Sequence, residues 1–154
     1  MTVRPYIPSD LEPVIGLFTE TVRRINSRDY SPEQIAAWAP LPPDHAYWRK
    51  CLEGVALWVA ESDRQIVGFG GLGAEGHVDL LYIDHRFQRR GVARLIYQQV
   101  EIEARRNGAR RLFTEASITA RPFFERMGFK ILHEQTVEFR GVDFKNFAME
   151  KVIS

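Results

Sequence analysis

The sequence predicts an α/β domain with a mixed sheet. Residues 9–54 carry apolar side chains at helical spacing, whereas residues 55–83 contain three short apolar runs separated by turn residues. A further helical pattern follows at 92–107, and residues 131–149 have the pattern of a closing hairpin. The order of elements is β, two or three α, three β, α, β, α and two β, which is typical of an α/β domain.

The N-terminal third contains one strand and three helices. Ser9 and Glu12 have the spacing of a capping box at the start of the first helix, and Ser31 with a following proline repeats this start signal for the second. Asp44 caps the third helix, and Gly54 ends it. The predicted bounds are a strand over 2–4 and helices over 11–25, 32–38 and 45–53.

The remaining elements alternate between strands and helices. Gly108 and Gly128 follow helical patterns as ordinary stops, and Arg140 with Gly141 forms the turn of the final hairpin. The predicted strands cover 55–60, 65–72, 77–83, 112–116, 131–139 and 142–149, and the predicted helices cover 92–107 and 119–127.

The composition predicts a single cytoplasmic domain that spans all 154 residues. The formal net charge is +1, so no overall basic field indicates a nucleic-acid partner. The N-terminus lacks the apolar core of a signal peptide, and no apolar run approaches the roughly 18 residues of a membrane span. The single cysteine, Cys51, excludes an intramolecular disulfide, and His45, His85 and His133 have no spaced partners for a metal ion.

The segment at residues 88–93, with the sequence QRRGVA, is the most informative motif. It lies between a predicted strand and a predicted helix, so several backbone N–H groups are left without partners at the start of the helix. These amides and the positive end of the helix dipole favour an anion. Arg86, Arg89 and Arg90 add positive charge, and the size of the turn suits a pyrophosphate. The alternative is an ordinary arginine-rich helix start on a solvated face.

A second motif, FFERMGF at residues 123–129, follows the first at a distance of some thirty residues. The two motifs in this order of elements resemble the GNAT superfamily of acetyl-CoA-dependent N-acetyltransferases. Residues 30–38 and 116–120 further resemble a bacterial subfamily labelled YafP-type. The resemblance implies a mixed, mostly antiparallel central sheet flanked by helices on both faces. Nucleotide-binding folds fit less well, because no Walker lysine is present and the turn has one glycine where a dinucleotide site needs three.

The resemblance implies an acetyl-CoA site and no metal. The pantetheine arm would pair with the backbone of Leu81 and Ile83, and Gln88 would orient the loop or reach the phosphates. Ser117 occupies the position where many family members have an asparagine that bonds the pantetheine, so Ser117 or Thr119 would replace it. Backbone amides would hold the pyrophosphate at Arg89, Arg90, Gly91, Val92, Ala93 and Arg94. Phe123 and Phe124 would pack beside the thiol end and also contribute to the core.

The resemblance also assigns the catalytic groups, with one departure. The backbone amide of Tyr82, or of Leu81 if a bulge shifts the strand, would stabilise the oxyanion. The family's usual general acid is a tyrosine at the position of Phe124, which cannot donate a proton. A thiol with a pKa of about 8.5 is a tolerable leaving group without such help. Tyr82, Tyr97 or water could otherwise supply the proton.

The parity of the strand at 77–83 suggests the base. Val78, Leu80 and Tyr82 would share one face, and His77 and Asp79 would lie together on the other. His77 falls where histone-type family members carry a catalytic glutamate, and an imidazole exchanges protons readily near neutral pH. Asp79 would orient His77 or bind a cationic substrate. The alternative is that both residues are solvated surface positions.

The acceptor is expected to bind between the N-terminal helices and the final hairpin. Aromatic residues are frequent there, namely Tyr30, Trp38, Tyr47 and Trp48. They suit an amine on a small molecule or a peptide, and the protein would be a monomer or a homodimer. Two alternatives remain open: a CoA-binding sensor that has lost catalysis, and an acyltransferase for another acyl-CoA or a hydroxyl acceptor.

Overall fold

The computed structural model describes residues 1–153, which form seven strands and five α-helices. The strands are β1 (Thr2–Pro5), β2 (Ala56–Ser62), β3 (Gln65–Leu72), β4 (Val78–Ile83), β5 (Arg111–Ser117), β6 (Lys130–Phe139) and β7 (Val142–Val152). The helices are α1 (Leu11–Arg24), α2 (Pro32–Trp38), α3 (His45–Cys51), α4 (Val92–Arg106) and α5 (Arg121–Arg126). The predicted order of elements is confirmed, and the bounds agree closely.

The strands form two antiparallel sheets that lie side by side. The first sheet has the order β1-β2-β3-β4, and the second has the order β5-β7-β6 with β7 in the centre. The sheets meet where His77, immediately before β4, pairs with Phe113 of β5 in a parallel bridge. This arrangement confirms the predicted α/β class and its mixed, mostly antiparallel sheet.

The helices cover both faces of the sheets, as predicted. On one face, α1 and α3 bury Phe18 and Trp48 against Phe69 of β3, and Phe144 of β7 closes this core. On the other face, α4 and α5 pack on both sheets. The buried residues of that face include Ile96, Val100, Leu112, Phe124, Phe129, Phe147 and Met149.

Helix α4 packs very close to β3 because two glycines remove the side chains between them. A Cβ atom at Gly70 would lie 2.6 Å from Ile96 Cγ2, and one at Gly68 would lie 3.0 Å from Val92 Cγ1. Contacts this short do not occur between real Cβ atoms and their neighbours, so larger residues would push α4 away. The glycines therefore fix the N-terminal end of α4 against the sheet.

Helix α1 starts differently from the prediction. A 3₁₀ turn, Pro8–Asp10, precedes it, and Asp10 rather than Ser9 is the residue before the first helical turn. The carboxylate of Asp10 accepts hydrogen bonds from the Ile7 amide (2.8 Å) and from Arg4 of β1 (2.8 and 2.9 Å). The predicted capping box of Ser9 and Glu12 is wrong, because the Arg4 ion pair fixes the chain instead.

Helix α5 is shorter than predicted and begins at Arg121 rather than Thr119. Ser117 causes this shift, because its Oγ accepts a hydrogen bond from the Ala120 amide (3.0 Å) and makes a turn of the intervening residues. Over the described part of the chain, every helix is too short or too polar to cross a lipid bilayer.

Candidate active site

A cleft opens between the two sheets. The hydroxyl of Thr114 on β5 donates to the carbonyl of Val78 on β4 (2.9 Å), next to the bridge between His77 and Phe113. Beyond this point, no backbone ladder joins β4 and β5 within residues 1–153, and a cleft of about 1080 Å³ lies between them. The cleft runs from the N-terminus of α4 to the end of the β6–β7 hairpin.

One edge of β4 faces this cleft without a partner strand. The Asp84 amide donates to the Val67 carbonyl (2.8 Å), so the polar groups of Asp84 point toward β3. Hydrogen-bonding direction alternates along a strand, so those of Tyr82 also point toward β3, and those of Leu81 and Ile83 point toward the cleft. The Ile83 carbonyl accepts from Thr21 (3.0 Å) and Gln88 (2.8 Å) on that side. The amides of Leu81 and Ile83 therefore face the opening.

The turn before α4 presents a row of free amides. Gly91, at the N-cap of α4, has a φ of 80°, and Arg89 has a φ of 60°. The first helical bond of α4 runs from the Leu95 amide to the Gly91 carbonyl, and the amides of residues 89–94 have no acceptor among residues 1–153. A Cβ at Gly91 would have no atom within 4 Å, so its approach to a ligand is open. This geometry suits an anion.

Gln88 and Val92 have structural roles at the turn. The Gln88 side chain bonds the Ile83 carbonyl, which ties the turn to the end of β4. The Val92 side chain is buried in the core beneath α4, so that residue offers the cleft its backbone, while Ala93 is half-buried beside it.

The arginines around the turn differ in their partners. Arg86 forms an ion pair with Asp84 (3.0 Å). Burial alone would raise the pKa of Asp84, but the hydrogen bonds from Arg86 lower that pKa below its usual value. Arg90 lies over the Phe87 ring at 5.1 Å. Arg89 and Arg94 line the cleft, and neither pairs with a carboxylate of the described residues.

Three titratable side chains gather where β4 and β5 separate. His77 stacks on Phe113 with 4.8 Å between ring centroids, and its Nε2 lies 2.8 Å from the Glu115 carboxylate on β5. Glu115 and Asp79 line the cleft, whereas His77 does not. Desolvation by the cleft walls raises the pKa of Asp79 although the residue is exposed, the charge of His77 opposes this shift, and the charge of Glu115 adds to it. Asp79 has no hydrogen bond or ion pair with any described residue.

A bulge in β4 contradicts the predicted alternation of its side chains. Leu80 pairs with Gly71, but Leu72, the next residue of β3, pairs with Val78, so Asp79 is an additional residue in β4. Val78 and Leu81 consequently pack toward α4, and Leu80 and Tyr82 pack toward α1. Val78 therefore does not share a face with Leu80 and Tyr82, and Asp79 lies in the cleft without His77.

Aromatic side chains line the far end of the cleft, and the sequence predicted some of these residues. Trp38 packs against Tyr30 (5.2 Å) and Phe144 (5.9 Å), and Tyr47 packs against Phe139 (5.7 Å). Trp48 is buried between Phe18 and Phe69 and does not reach the cleft. The aromatic lining residues are Tyr30, Trp38, Tyr47, Tyr82, Phe139 and Phe144.

Comparison with known proteins identifies this arrangement. Residues 26–151 match the family model described as an acetyltransferase (GNAT) domain. The chain belongs to the GNAT acetyltransferase family. It is also 39% identical over 148 residues to the uncharacterized N-acetyltransferase YafP of Escherichia coli (strain K12), covering 96% of this chain and 93% of that protein. The predicted family and the YafP-type resemblance are confirmed, and the protein is an acetyltransferase enzyme.

Solved GNAT structures have the same fold. A GCN5-related N-acetyltransferase from Rhodopseudomonas palustris superimposes with a TM-score of 0.94 at 30% identity, over 99% of this chain and 95% of that chain. The PaiA N-acetyltransferase from Thermoplasma acidophilum, solved in complex with coenzyme A, gives a TM-score of 0.78 at 17% identity, over 99% of this chain and 100% of that one.

No tyrosine occupies the usual GNAT acid position. Phe124 is buried and packs against Phe123 and Phe129, with ring centroids 5.5 and 5.0 Å away. Tyr97 does not line the cleft; its hydroxyl donates to Glu101 (2.6 Å), and burial followed by this bond raises the pKa of Tyr97. The Tyr82 ring lines the cleft, and burial raises the pKa of its hydroxyl.

Ser117 and Thr119 have partners within the protein. Ser117 Oγ accepts from the Ala120 amide, and Thr119 Oγ1 donates to Asp29 (2.8 Å). Asn146 of β7, which pairs with Ser117 across the sheet, has a buried Oδ1 with no donor among residues 1–153, and it lines the same cleft. Asn146 thus has an unpaired side-chain amide oxygen at the cleft, whereas the Ser117 hydroxyl already has a partner.

Sequence reasoning missed several polar residues of this GNAT cleft, among them Arg28, Glu115, Arg126 and Asn146. Arg28 and Arg126 add to the positive charge, and neither has a carboxylate partner among the described residues. Phe113 and Glu115 are two residues apart on β5, so their side chains share a face. Given the pairing of that strand with His77, this spacing could have indicated Glu115. Asn146 left no signal, because its position depends on the pairing of distant strands.

Proposed function

We propose that this GNAT enzyme transfers the acetyl group of acetyl-CoA directly to an amine while both substrates are bound. The observation that carries the proposal is the coincidence of two features in one cleft: the free amides of residues 89–94 and the unpaired edge of β4. The first suits a pyrophosphate and the second suits an extended arm with amide groups. A structural relative of the same fold binds coenzyme A.

Charged side chains of both signs line the cleft, in agreement with this use. The lining arginines, Arg28, Arg89, Arg94 and Arg126, have no carboxylate partners among residues 1–153 and favour a phosphate-bearing ligand. The lining carboxylates are Asp79, Glu115 and Glu138. An amine that enters as an ammonium would be attracted to these carboxylates, and Asp79 and Glu115 would bring it to the acetyl group where β4 and β5 separate.

Acetyl-CoA supplies a thioester whose carbonyl carbon the amine attacks, so that a C–N bond forms, the C–S bond breaks and CoA leaves as a thiol. We assign Asp79 as the group that accepts the first proton of the ammonium, because it lines the cleft and its raised pKa makes it a better base than an ordinary aspartate. The second amine proton goes to the leaving sulfur through water. His77 and Glu115 then act on Asp79 through their charges.

The Leu81 amide is the proposed donor to the developing oxyanion, since it faces the cleft whereas the polar groups of Tyr82 point toward β3. Phe124 offers no proton, and Tyr97 lies outside the cleft. Protonation of the sulfur by water is tolerable because a thiolate with a pKa of about 8.5 leaves readily near neutral pH.

Thermal unfolding with acetyl-CoA, followed by detection of free thiol with a panel of amines, tests the proposal. We expect stabilisation of about 2.7 kcal/mol when acetyl-CoA is present at about 100 times its Kd, and amine-dependent thiol release. Stabilisation without thiol release under any amine would favour a CoA-binding sensor. Faster release from propionyl-CoA or succinyl-CoA would favour another acyl donor. Absence of stabilisation would contradict the proposed site.

A further inference from the structure

The acceptor end of the cleft has aromatic walls and polar atoms of one kind. Asp79 has no partner among the described residues, and the buried Oδ1 of Asn146 lacks a donor. Lys145, a lining cation at this end, forms an ion pair with Glu134 (2.9 Å), which leaves its charge compensated. A ligand that brings N–H donors would satisfy both acceptors.

The aromatic rings add a preference for positive charge on an apolar body. Trp38 contacts Tyr30 and Phe144 edge to face, and Tyr30 lies tilted against Phe144, so the three rings form a continuous wall. Aromatic faces attract ammonium groups and also bind flat or alkyl groups. The chemistry of this end therefore matches an ammonium attached to an aromatic or alkyl group.

Side-chain contacts hold the aromatic wall in place at the end of the cleft toward which a bound polypeptide would continue. At the turn of the β6–β7 hairpin, Arg140 donates to the Ala37 carbonyl (2.7 Å) and lies over the rings of Tyr47 (4.8 Å) and Phe139 (4.6 Å). Gln34 donates to the Asp143 carbonyl (2.8 Å). These contacts join the hairpin to α2 and α3 at the end of the cleft.

The Tyr30 hydroxyl forms a further link between these parts of the molecule. It donates to the Lys145 carbonyl of β7 (2.7 Å) and accepts from the Ile118 amide after β5 (2.9 Å), so it links the second sheet to the segment before α2.

We propose that the acceptor is a small cationic amine on an aromatic or alkyl body, bound by Asp79 and Asn146 within the aromatic wall, and not the terminus or side chain of a polypeptide. The proposal rests on the proposed function, because the pocket is useful only if it opens onto the acetyl end. It defines the substrate class of that same site.

Calorimetric titration of the CoA-saturated protein tests binding separately from turnover. The probes are phenethylamine, hexylamine, the neutral analogue 2-phenylethanol, and the peptide Phe-Gly-Gly, in which the aromatic amine continues into a chain. We expect at least one of the two amines to bind about tenfold or more tightly than both 2-phenylethanol and Phe-Gly-Gly, as expected for a charge-assisted contact within the aromatic wall.

The variant Asp79→Asn should weaken amine binding about tenfold and leave 2-phenylethanol unchanged, because the amide keeps the shape and removes the charge. Asp63→Asn, in the exposed turn between β2 and β3, is the matched control and should bind like the parent protein. Equal or tighter binding of Phe-Gly-Gly, lack of binding by both amines, or an unchanged affinity in Asp79→Asn would each overturn the proposal.

Thiol release with the same probes separates this proposal from the proposed function. If amines bind through Asp79 but no thiol is released from acetyl-CoA, the proposed acetyl transfer is refuted. The inferred class of ligand for the pocket then still holds. Turnover with Phe-Gly-Gly but not with phenethylamine or hexylamine would support acetyl transfer and overturn the inferred substrate class.

Discussion

One additional residue in β4 decides which side chain faces the cleft. Without the bulge, His77 and Asp79 would lie on one face, and the imidazole would be the natural base. With it, Asp79 lies in the cleft, and His77 stacks on Phe113 and is hydrogen-bonded to Glu115 instead. The raised pKa of Asp79 results first from desolvation and then from the two neighbouring charges.

Opposite substitutions around Asp79 should move the pH dependence in opposite directions. The charge of Glu115 raises the pKa of Asp79, so Glu115→Gln should shift the acidic limb of kcat/KM to lower pH. The charge of His77 lowers that pKa, so His77→Ala should shift the limb to higher pH. The measurement is kcat/KM from pH 4 to 9 with one amine. Shifts of the same sign, or none, would show that Asp79 is not the titrating base.

Gly91 offers a test of the anion site with a matched control in the same helix. Gly91→Glu places a carboxylate beside the free amides, so we expect acetyl-CoA binding to weaken by about 100-fold or more through charge repulsion. Gly108 follows α4 with a φ of 81°, against 80° at Gly91, and a Cβ has open space at both positions. Gly108→Glu should therefore carry a similar backbone strain of about 1–2 kcal/mol and bind acetyl-CoA normally.

Calorimetry with acetyl-CoA on both variants checks this prediction. If Gly91→Glu bound as tightly as Gly108→Glu, the pyrophosphate would have to lie elsewhere.

At the scale of elements, the β6–β7 hairpin is attached to the helices of the site by side-chain contacts. Its turn residues, Arg140 and Gly141, have φ values of 52° and 76°, as in a two-residue hairpin turn. The sequence predicts this turn, but not the attachment of Arg140 to Ala37 and Tyr47, because nothing local distinguishes an arginine that stacks from one that is solvated.

Arg140→Asn should loosen the hairpin without straining it, since asparagine tolerates a positive φ. We expect a loss of about 1–2 kcal/mol from the free energy of unfolding, because the bond to Ala37 and the ring contacts disappear. Arg64→Asn, in the β2–β3 turn with a φ of 66°, is the matched control and should be nearly neutral. Urea denaturation of both variants provides the measurement, and equal stability would mean that Arg140 does not fasten the hairpin.

At the scale of the whole molecule, the order of strands and helices was predictable from periodicity, caps and turns. The YafP-like segments and the two motifs identified the family. The division into two sheets, the bulge at Asp79 and the position of Asn146 could not be predicted, because each depends on pairing between strands far apart in the chain. The charged lining of the cleft was unpredictable for the same reason, since Arg28 and Arg126 come from separate elements.

Asp79 should make the folded protein less stable as the pH rises. Its pKa is higher in the folded state than the unfolded value of about 3.9, so the folded state binds more protons and stability falls above roughly pH 4. Asp79→Asn removes this effect. We expect the variant to match the parent at pH 3.5 and to exceed it at pH 7 in urea denaturation. A constant difference across this range would contradict the raised pKa.

Asp10 provides the opposite sign in the same experiment. Its hydrogen bonds with Arg4 lower the pKa of Asp10, so its contribution to stability is present above the unfolded pKa of about 3.9 and is lost as the pH falls. Asp10→Asn should cost about 1.5–3 kcal/mol at pH 7 and progressively less below pH 4. A cost that did not depend on pH would show that the charge of Asp10 is unimportant.

The divergence of β4 and β5 has a consequence for the behaviour of the protein without substrate. A bare strand edge ordinarily acts as a template on which other chains can add and aggregate. Here the bare edge lies inside the molecule, with the bridge at His77 on one side and α4 and α5 flanking it. The flanking elements therefore limit the access of strands from other molecules to the unpaired edge of β4.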